Sequence, residues 1–208
     1  MNVLVTGAAG FLGAHLVDAL RKRGDFVVGL DKRQCRISAP DAEVVGDVAD
    51  ARVVEGAVAD HEVDAVVHLA AVTQVSVAAA YPTGAFETNA IGTLRVLDAC
   101  RAQGVKRIVC ASTDKSYGEG SAYVETQALD PRGIYATSKA CGDLLAASYA
   151  SEYGLPVAIV RCGNLYGPRH VNWSTLIPST IRSYLRRERP IIRSDGTLLR
   201  DYFHVEDA

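Results

Sequence analysis

The 208-residue chain has no apolar run approaching the roughly 18 residues that a membrane-spanning helix needs. It has no excess of either charge: 22 Lys+Arg face 24 Asp+Glu, for a net charge of −2. That balance argues against a nucleic-acid binder, which usually carries a basic surplus, and leaves room for a local anion site. It has no CxxC pair. Cys35, Cys100, Cys110, Cys141 and Cys162 are scattered and odd in number, which suits free thiols in a reducing compartment. None of its five histidines pairs at the spacing of a metal site, so no metal is expected. There is no basic and then apolar leader: the chain opens on the strand-like MNVLVTG, and a cytoplasmic setting is expected. Internal repeats, low-complexity tracts and linkers are lacking too.

What is present is core material. Hydrophobic residues make up 49% and charged residues 22%, with a mean hydropathy of +0.08, enough to bury a sizeable core. Short Val/Ile/Leu-rich runs at 3–6, 26–30, 65–69, 107–111 and 157–161 read as strands buried on both faces. Between them, 11–23, 51–60, 83–103 and 134–153 read as helices, and Gly24, Gly104 and Gly154 stand where left-handed C-caps are wanted. Strands alternating with helices predict an α/β fold, a doubly wound parallel sheet of the Rossmann kind. After Gly167 the rhythm changes. A loop-like stretch precedes a helix over 176–187, with Pro178 near its first turn. A short strand, a turn at Asp195-Gly196 and a second strand should follow. The expected division is a dinucleotide-binding domain over 1–167 and the beginning of a smaller, incomplete lobe over 168–208.

Gly7, Gly10 and Gly13 follow the first strand and open the first helix as GxxGxxG, a variant of the dinucleotide fingerprint. Gly7 permits the tight turn, Gly10 the approach of a pyrophosphate, and Gly13 close helix–strand packing. The helix N-terminus presents N–H groups and a positive dipole end to phosphate. Asp31, 18 residues after Gly13 and at the end of the second strand, can accept both ribose hydroxyls and would repel a 2′-phosphate. NAD is therefore favoured over NADP, although Lys32 and Arg33 beside it could tolerate the extra phosphate.

These residues resemble the extended short-chain dehydrogenases/reductases, in the branch of NAD-dependent sugar-nucleotide epimerases and dehydratases. The resemblance runs over essentially the whole chain. It rests on VTGAAGFLG at 5–13, GDV at 46–48, HLAA at 68–71, ETNAIGT at 87–93, ASTDKSYGE at 111–119, YATSK at 135–139, RCGNLYGP at 161–168 and RDYFHVEDA at 200–208. It implies that Phe11 and Leu12 join the three glycines at the cofactor. Asp47 and Val48 would flank the adenine, Leu69, Ala70 and Ala71 would line the cofactor, and Asn89 would sit near it. It also implies a homodimer in which helices 83–103 and 134–153 pair with a partner's, and a substrate lobe that continues beyond the VEDA motif.

Tyr135 and Lys139 stand four residues apart, on one helix face. A free tyrosine, with a pKa near ~10, is a poor base at neutral pH, and an adjacent ammonium is expected to draw the phenol down. By resemblance, Tyr135 is the base for sugar oxidation, Lys139 bonds the nicotinamide ribose, and Thr113 bonds the reacting hydroxyl. The residues after Thr113 choose between reactions. The family's 4-epimerases usually carry small or neutral residues there, whereas its 4,6-dehydratases carry an acid and then a base. Asp114 and Lys115 fit that acid and base, with both pKa values expected to be perturbed by burial or by neighbouring charge.

The Asp-Lys form is similar to the CDP-glucose 4,6-dehydratases, while dTDP-glucose dehydratases have Glu at the Lys115 position. The chain departs from the CDP-glucose group at Gly167-Pro168-Arg169-His170, where a glycine-rich segment with an acid is usual. Asn164 and Arg200 take the family positions that contact the substrate diphosphate. Arg182, Arg186, Arg187, Arg189 and Arg193 form a basic cluster that faces solvent or meets nucleotide phosphate, and Trp173 is a packing or base-stacking residue. The expected function is an NDP-sugar 4,6-dehydratase acting on a nucleotide sugar with NAD. The alternatives are a 4-epimerase of the same fold and a non-catalytic NAD-binding module.

Overall fold

A computed structural model of the chain describes every residue except Ser121, Arg193 and Leu198. Two compact units emerge, Met1–Cys162 and Gly163–Ala208.

The first unit is a six-stranded parallel sheet. Its strands are β1 (Asn2–Thr6), β2 (Phe26–Asp31), β3 (Ala42–Val45), β4 (Ala65–His68), β5 (Arg107–Thr113) and β6 (Val157–Cys162). They lie in the order β3-β2-β1-β4-β5-β6. The order reverses direction between β1 and β4, the place where an open α/β sheet forms a ligand crevice beyond its strand ends. Side chains alternate across the sheet as a strand's two-residue period requires. Val3 and Val5 join Val17 and Leu20 of α1 (Phe11–Arg23) in one core. Leu4 joins Val54 and Val58 of α2 (Ala51–Ala59), with Val96 and Leu97, in the other. The three C-caps form as expected: Gly24, Gly104 and Gly154 end their helices at φ 92°, 65° and 64°. Arg21, Lys22 and Arg23 crowd the last turn of α1, where its dipole favours cations.

The helix expected over 83–103 is broken. After α3 (Val75–Ala80), a short α4 (Pro82–Phe86) starts on Pro82 and passes into a π-helical turn, Glu87–Ile91, before α5 (Gly92–Gln103). Such turns often accompany functional sites, and this one carries Asn89. The strands differ from the expected runs at several points. β2 runs on to Asp31 and β5 to Thr113, and β3 is a separate strand. β3 has only four residues, alternately exposed, so it lacks the buried run that marks its neighbours. The last helix of this unit, α6 (Gly133–Tyr153), lies over the sheet beside α5.

In the second unit, β7 (Asn164–Tyr166) and β8 (Tyr202–His204) pair in parallel, and α7 spans Leu176–Leu185. The turn at Asp195-Gly196 forms, with the Thr197 N–H donating to Asp195 Oδ1 at 3.0 Å and Gly196 at φ 83°. The strand expected before it is absent among the described residues, and Arg193 of the basic cluster lies outside them. The Arg182 guanidinium sits 5.3 Å from the centre of the Trp173 ring, so a cation covers one face of that indole. No helix among the described residues is long and apolar enough to cross a membrane.

Candidate active site

The phosphate loop is built from contacts that only glycine allows. Gly7 has φ +71°, and a Cβ there would lie 2.8 Å from the Ala70 nitrogen. Its N–H donates to the Leu30 carbonyl at 2.7 Å. A Cβ on Gly13 would fall 2.1 Å from the Gly7 carbonyl oxygen, so α1 rests directly on the turn. Gly10 is the N-cap of α1, with no side-chain cap and no acid in the first turn. Phe11 and Leu12 follow it, half-buried. A bare glycine cradle at a helix N-terminus, facing the crevice, fits a pyrophosphate.

Asp31 at the end of β2 is held in place. Its Oδ2 accepts the Ala9 N–H at 3.1 Å and its Oδ1 the Arg33 N–H at 3.0 Å. A carboxylate offers about four lone-pair sites, so ribose hydroxyls can still be accepted. The cations expected to blur its preference are arranged unequally. Arg33 Nε is 3.7 Å from Asp31, whereas Lys32 pairs with Asp47 at 2.9 Å. Burial works to raise the Asp47 carboxyl, but the Ala49 N–H and Lys32 outweigh it and hold it below the ordinary carboxylate range. Val48 is buried beneath α5, where a Cβ on Gly92 would lie 2.7 Å from its Cγ2.

Leu69, Ala70 and Ala71 leave β4 as a wall beside the phosphate loop. The Leu69 and Ala70 N–H groups both donate to Thr6 Oγ1, at 3.1 and 3.2 Å. Asn89, fully buried, holds the next residue as a strand partner would. Its Oδ1 accepts the Val72 N–H at 2.8 Å, and its Nδ2 donates to the Val72 carbonyl at 3.1 Å. The same Nδ2 donates to Ser138 Oγ at 2.9 Å, and Ser138 donates to the Tyr135 carbonyl at 2.8 Å. Asn89 therefore joins the cofactor wall to the helix of Tyr135 and Lys139.

Tyr135 faces the Thr113 side chain. Thr113 in turn donates to Asp114 Oδ1 at 3.1 Å, and Lys115 Nζ reaches the same oxygen at 3.0 Å. Asp114 and Lys115 lie in a 3₁₀ turn, Asp114–Tyr117, that caps on Thr113. The Asp114 and Lys115 side chains keep 21% and 36% exposure and meet as an ion pair. Lys139 is buried and donates to the Ala111 carbonyl at 2.6 Å. Burial brings its ammonium down to about 8, against the opposing pull of Cys110, Asp143 and Cys162. The lowering expected for Tyr135 is not found: burial pushes the phenol up, the Thr113 side chain pulls it down, and Asp114 pushes it up again.

The profile of the NAD dependent epimerase/dehydratase family matches residues 3–208. The chain belongs to this family. It is 39% identical to a dTDP-glucose 4,6-dehydratase of Streptomyces antibioticus, aligning over all of this chain and 66% of that protein. It is 37% identical to one of Mycobacterium tuberculosis, with the same shares. Among solved structures, a dTDP-glucose 4,6-dehydratase of Streptomyces venezuelae with NAD bound superposes at a TM-score of 0.89 and 34% identity, covering 100% of this chain and 69% of that one. A UDP-glucose 4-epimerase of Thermotoga maritima superposes at 0.91 and 31%, covering 100% and 70%. The chain thus spans about two thirds of the length of these family members.

The family positions Asn164 and Arg200 lie in the second unit, apart from the residues above in the chain's division. There the Asn164 amide donates to the Asp201 carbonyl at 3.3 Å, and Arg200 is exposed, its Nη1 on the Leu199 carbonyl at 2.8 Å. Sequence reasoning missed several groups around Tyr135 and Lys139. Asp143 continues their helix face at the next four-residue step, a signal that was available. It binds Arg161, whose Nη1 also donates to the Tyr117 hydroxyl at 2.8 Å. Thr6, His68, Thr93 and Ser138 lie inside the quoted motifs, but no local spacing announces their pairings, which cross between elements.

Proposed function

We propose that this chain carries the cofactor-binding and catalytic residues of an NDP-sugar 4,6-dehydratase of the CDP-glucose type. One observation carries the reading: Thr113, Asp114 and Lys115 form a hydrogen-bonded series at the sheet's C-terminal edge, with Tyr135 facing the Thr113 side chain. NAD, which the glycine cradle and Asp31 fit, would supply the hydride acceptor at sugar C4 and the hydride donor at C6, leaving no net redox change. Tyr135 takes the proton of the 4-hydroxyl, with Thr113 bonding that oxygen, and Lys139, four residues on along the same helix, would bond the nicotinamide ribose. A ketone at C4 acidifies the C5 hydrogen. Moving one proton along the 3.0 Å contact from Lys115 to Asp114 turns an ammonium and a carboxylate into an amine and a carboxylic acid. The amine removes the C5 proton, the acid protonates the departing C6 hydroxyl, and water leaves.

The lysine at 115 supports the CDP-glucose type, while the relatives above are dTDP-glucose enzymes. Asn164 and Arg200 are proposed diphosphate contacts. A homodimer is proposed as well: Ile91, Leu144 and Tyr153 stay exposed on the π turn and α6, apolar surface that pairing of these helices would cover. A 4-epimerase is the second reading. It needs Tyr135 and Thr113 but not the Asp114–Lys115 pair, and the Thermotoga epimerase superposes as well as the dehydratase does. The deciding experiment is mass spectrometry after incubation with NAD and CDP-, dTDP-, UDP- and GDP-sugars. Loss of one water, abolished in Asp114→Asn/Lys115→Met, is expected. A product of unchanged mass that survives this double substitution would give the reaction to the epimerase.

A further inference from the structure

His68 ends β4, fully buried, and sits between two threonines of different elements. Its Nδ1 is 2.7 Å from Thr6 Oγ1 on β1, and its Nε2 is 3.0 Å from Thr93 Oγ1 on α5. The proton positions follow from the neighbours. Thr93 spends its one hydroxyl proton on the Asn89 carbonyl at 2.7 Å, so it must accept from His68, and Nε2 carries the hydrogen. Nδ1 is then a bare acceptor, and it takes the Thr6 hydroxyl proton. With that proton committed, both lone pairs of Thr6 Oγ1 are left for the Leu69 and Ala70 N–H groups. A single directed path therefore runs Ala70/Leu69–Thr6–His68–Thr93–Asn89, and Asn89 grips Val72. The segment 69–72 is thus held at Leu69 and Ala70 by the Thr6 hydroxyl that His68 orients, and at Val72 by the side-chain amide of Asn89, whose backbone carbonyl takes the Thr93 hydroxyl proton.

We propose that His68 is a positioning residue: it fixes segment 69–72 against the Gly7 turn, and through Asn89 and Ser138 it keeps the Tyr135 helix in register with that wall. The claim about the cofactor rests on the NAD reading above; the claim about the segment does not. Removing His68 strands the Thr6 hydroxyl and the Thr93 oxygen in a place water does not reach, and unpartnered buried groups relax until they find partners. The adjacent backbone, rather than the sheet, is what can move.

The test is amide hydrogen exchange by NMR together with NAD titration calorimetry, on the wild type, His68→Leu and His68→Asn, at a temperature where all are folded. His68→Asn keeps an acceptor where Nδ1 stands. In His68→Leu, the Leu69, Ala70 and Val72 amides should lose at least about tenfold protection and NAD should bind about tenfold more weakly. Amides at the centre of β1 should keep their protection. His68→Asn should restore Leu69, Ala70 and most of the affinity. Unchanged exchange at 69, 70 and 72 in His68→Leu overturns the inference, as does exchange raised evenly over the whole sheet, the mark of a merely structural loss. If His68→Leu does not fold, Thr93→Val cuts the same path at its far arm, and there intact protection at Val72 overturns it. A wild type that does not bind NAD, with the local loss of protection present, sinks the cofactor reading and sustains the positioning role.

Discussion

Arg161 of β6 grips Asp143 of α6 through two parallel hydrogen bonds, Nε to Oδ2 at 2.8 Å and Nη2 to Oδ1 at 2.9 Å. The Asp143 side chain is 1% exposed and that of Arg161 20%. The same guanidinium donates to the Tyr117 hydroxyl and the Glu125 carbonyl, so one residue ties β6, the helix of Tyr135 and Lys139, the 3₁₀ turn and the loop beyond it. Breaking such a pair leaves a buried carboxylate uncompensated. Arg161→Leu should cost about 3 kcal/mol of unfolding free energy, and Arg161→Met/Asp143→Leu should recover most of it. Urea denaturation decides; a single-variant loss no larger than an exposed pair's, under about 1 kcal/mol, would show that solvent already screens the contact.

Lys139 gives the protein an alkaline signature. Burial lowers its ammonium from 10.5 to about 8 in the folded state. Between those values the unfolded chain holds a proton that the folded chain has released, so stability rises with pH across this window. The contribution is complete above about 10.5 and is lost as pH falls through about 8. Relative to Lys139→Met, which has no such proton, the wild type should gain up to about 1.4 kcal/mol per pH unit between these limits. Parallel denaturation curves for the two proteins would refute it.

Gly13 and Gly84 make a matched pair. A Cβ on Gly13 collides with backbone at 2.1 and 2.8 Å, whereas one on Gly84 meets nothing within 4 Å. Gly13→Ala should lose NAD binding and about 1–3 kcal/mol of stability. Gly84→Ala, in α4, should be neutral or better by up to about 1 kcal/mol. Thermal melts and NAD titration of both variants check this; equal behaviour would mean that the α1 turn relaxes.

Asp31 should set the choice of dinucleotide. Asp31→Asn keeps an acceptor for one backbone N–H, removes the charge that repels a 2′-phosphate, and releases Arg33, whose side chain is 75% exposed. NAD affinity should fall about tenfold while NADP affinity rises. Titration with both nucleotides reads this out, and an unchanged NAD/NADP ratio would shift the discrimination elsewhere.

Tyr135→Phe should lower turnover by about 10²–10⁴-fold with NAD affinity nearly unchanged, since only the proton acceptor is lost. Single-turnover kinetics with the substrate found by mass spectrometry check it. A parallel fall in NAD affinity would make the phenol a binding group.

Much of this was legible in residue order. The GxxGxxG turn, the glycine C-caps and the buried strand runs each report a demand that the backbone makes within a few residues. The order of the motifs pointed to the family and to Thr113, Tyr135 and Lys139. The helix over 83–103 was misread because its break serves a distant partner. Asn89 must reach Val72, and a Cβ on Gly142 would lie 2.7 Å from the Asn89 carbonyl, so α6 presses on the π turn. Nothing local to 87–91 encodes that.

The tertiary structure alone decided the pairings. His68 and Thr6 are 62 residues apart and Arg161 and Asp143 18 apart; the first two meet because β1 and β4 pair in parallel, the second two because α6 packs back against β6. Burial there, not the neighbouring ammonium, governs the Tyr135 phenol, and partial exposure leaves Asp114 and Lys115 as an ion pair. Periodicity and turn chemistry are properties of neighbours along the chain. Desolvation and hydrogen-bond direction are properties of neighbours in space, which exist only once the sheet has set its order.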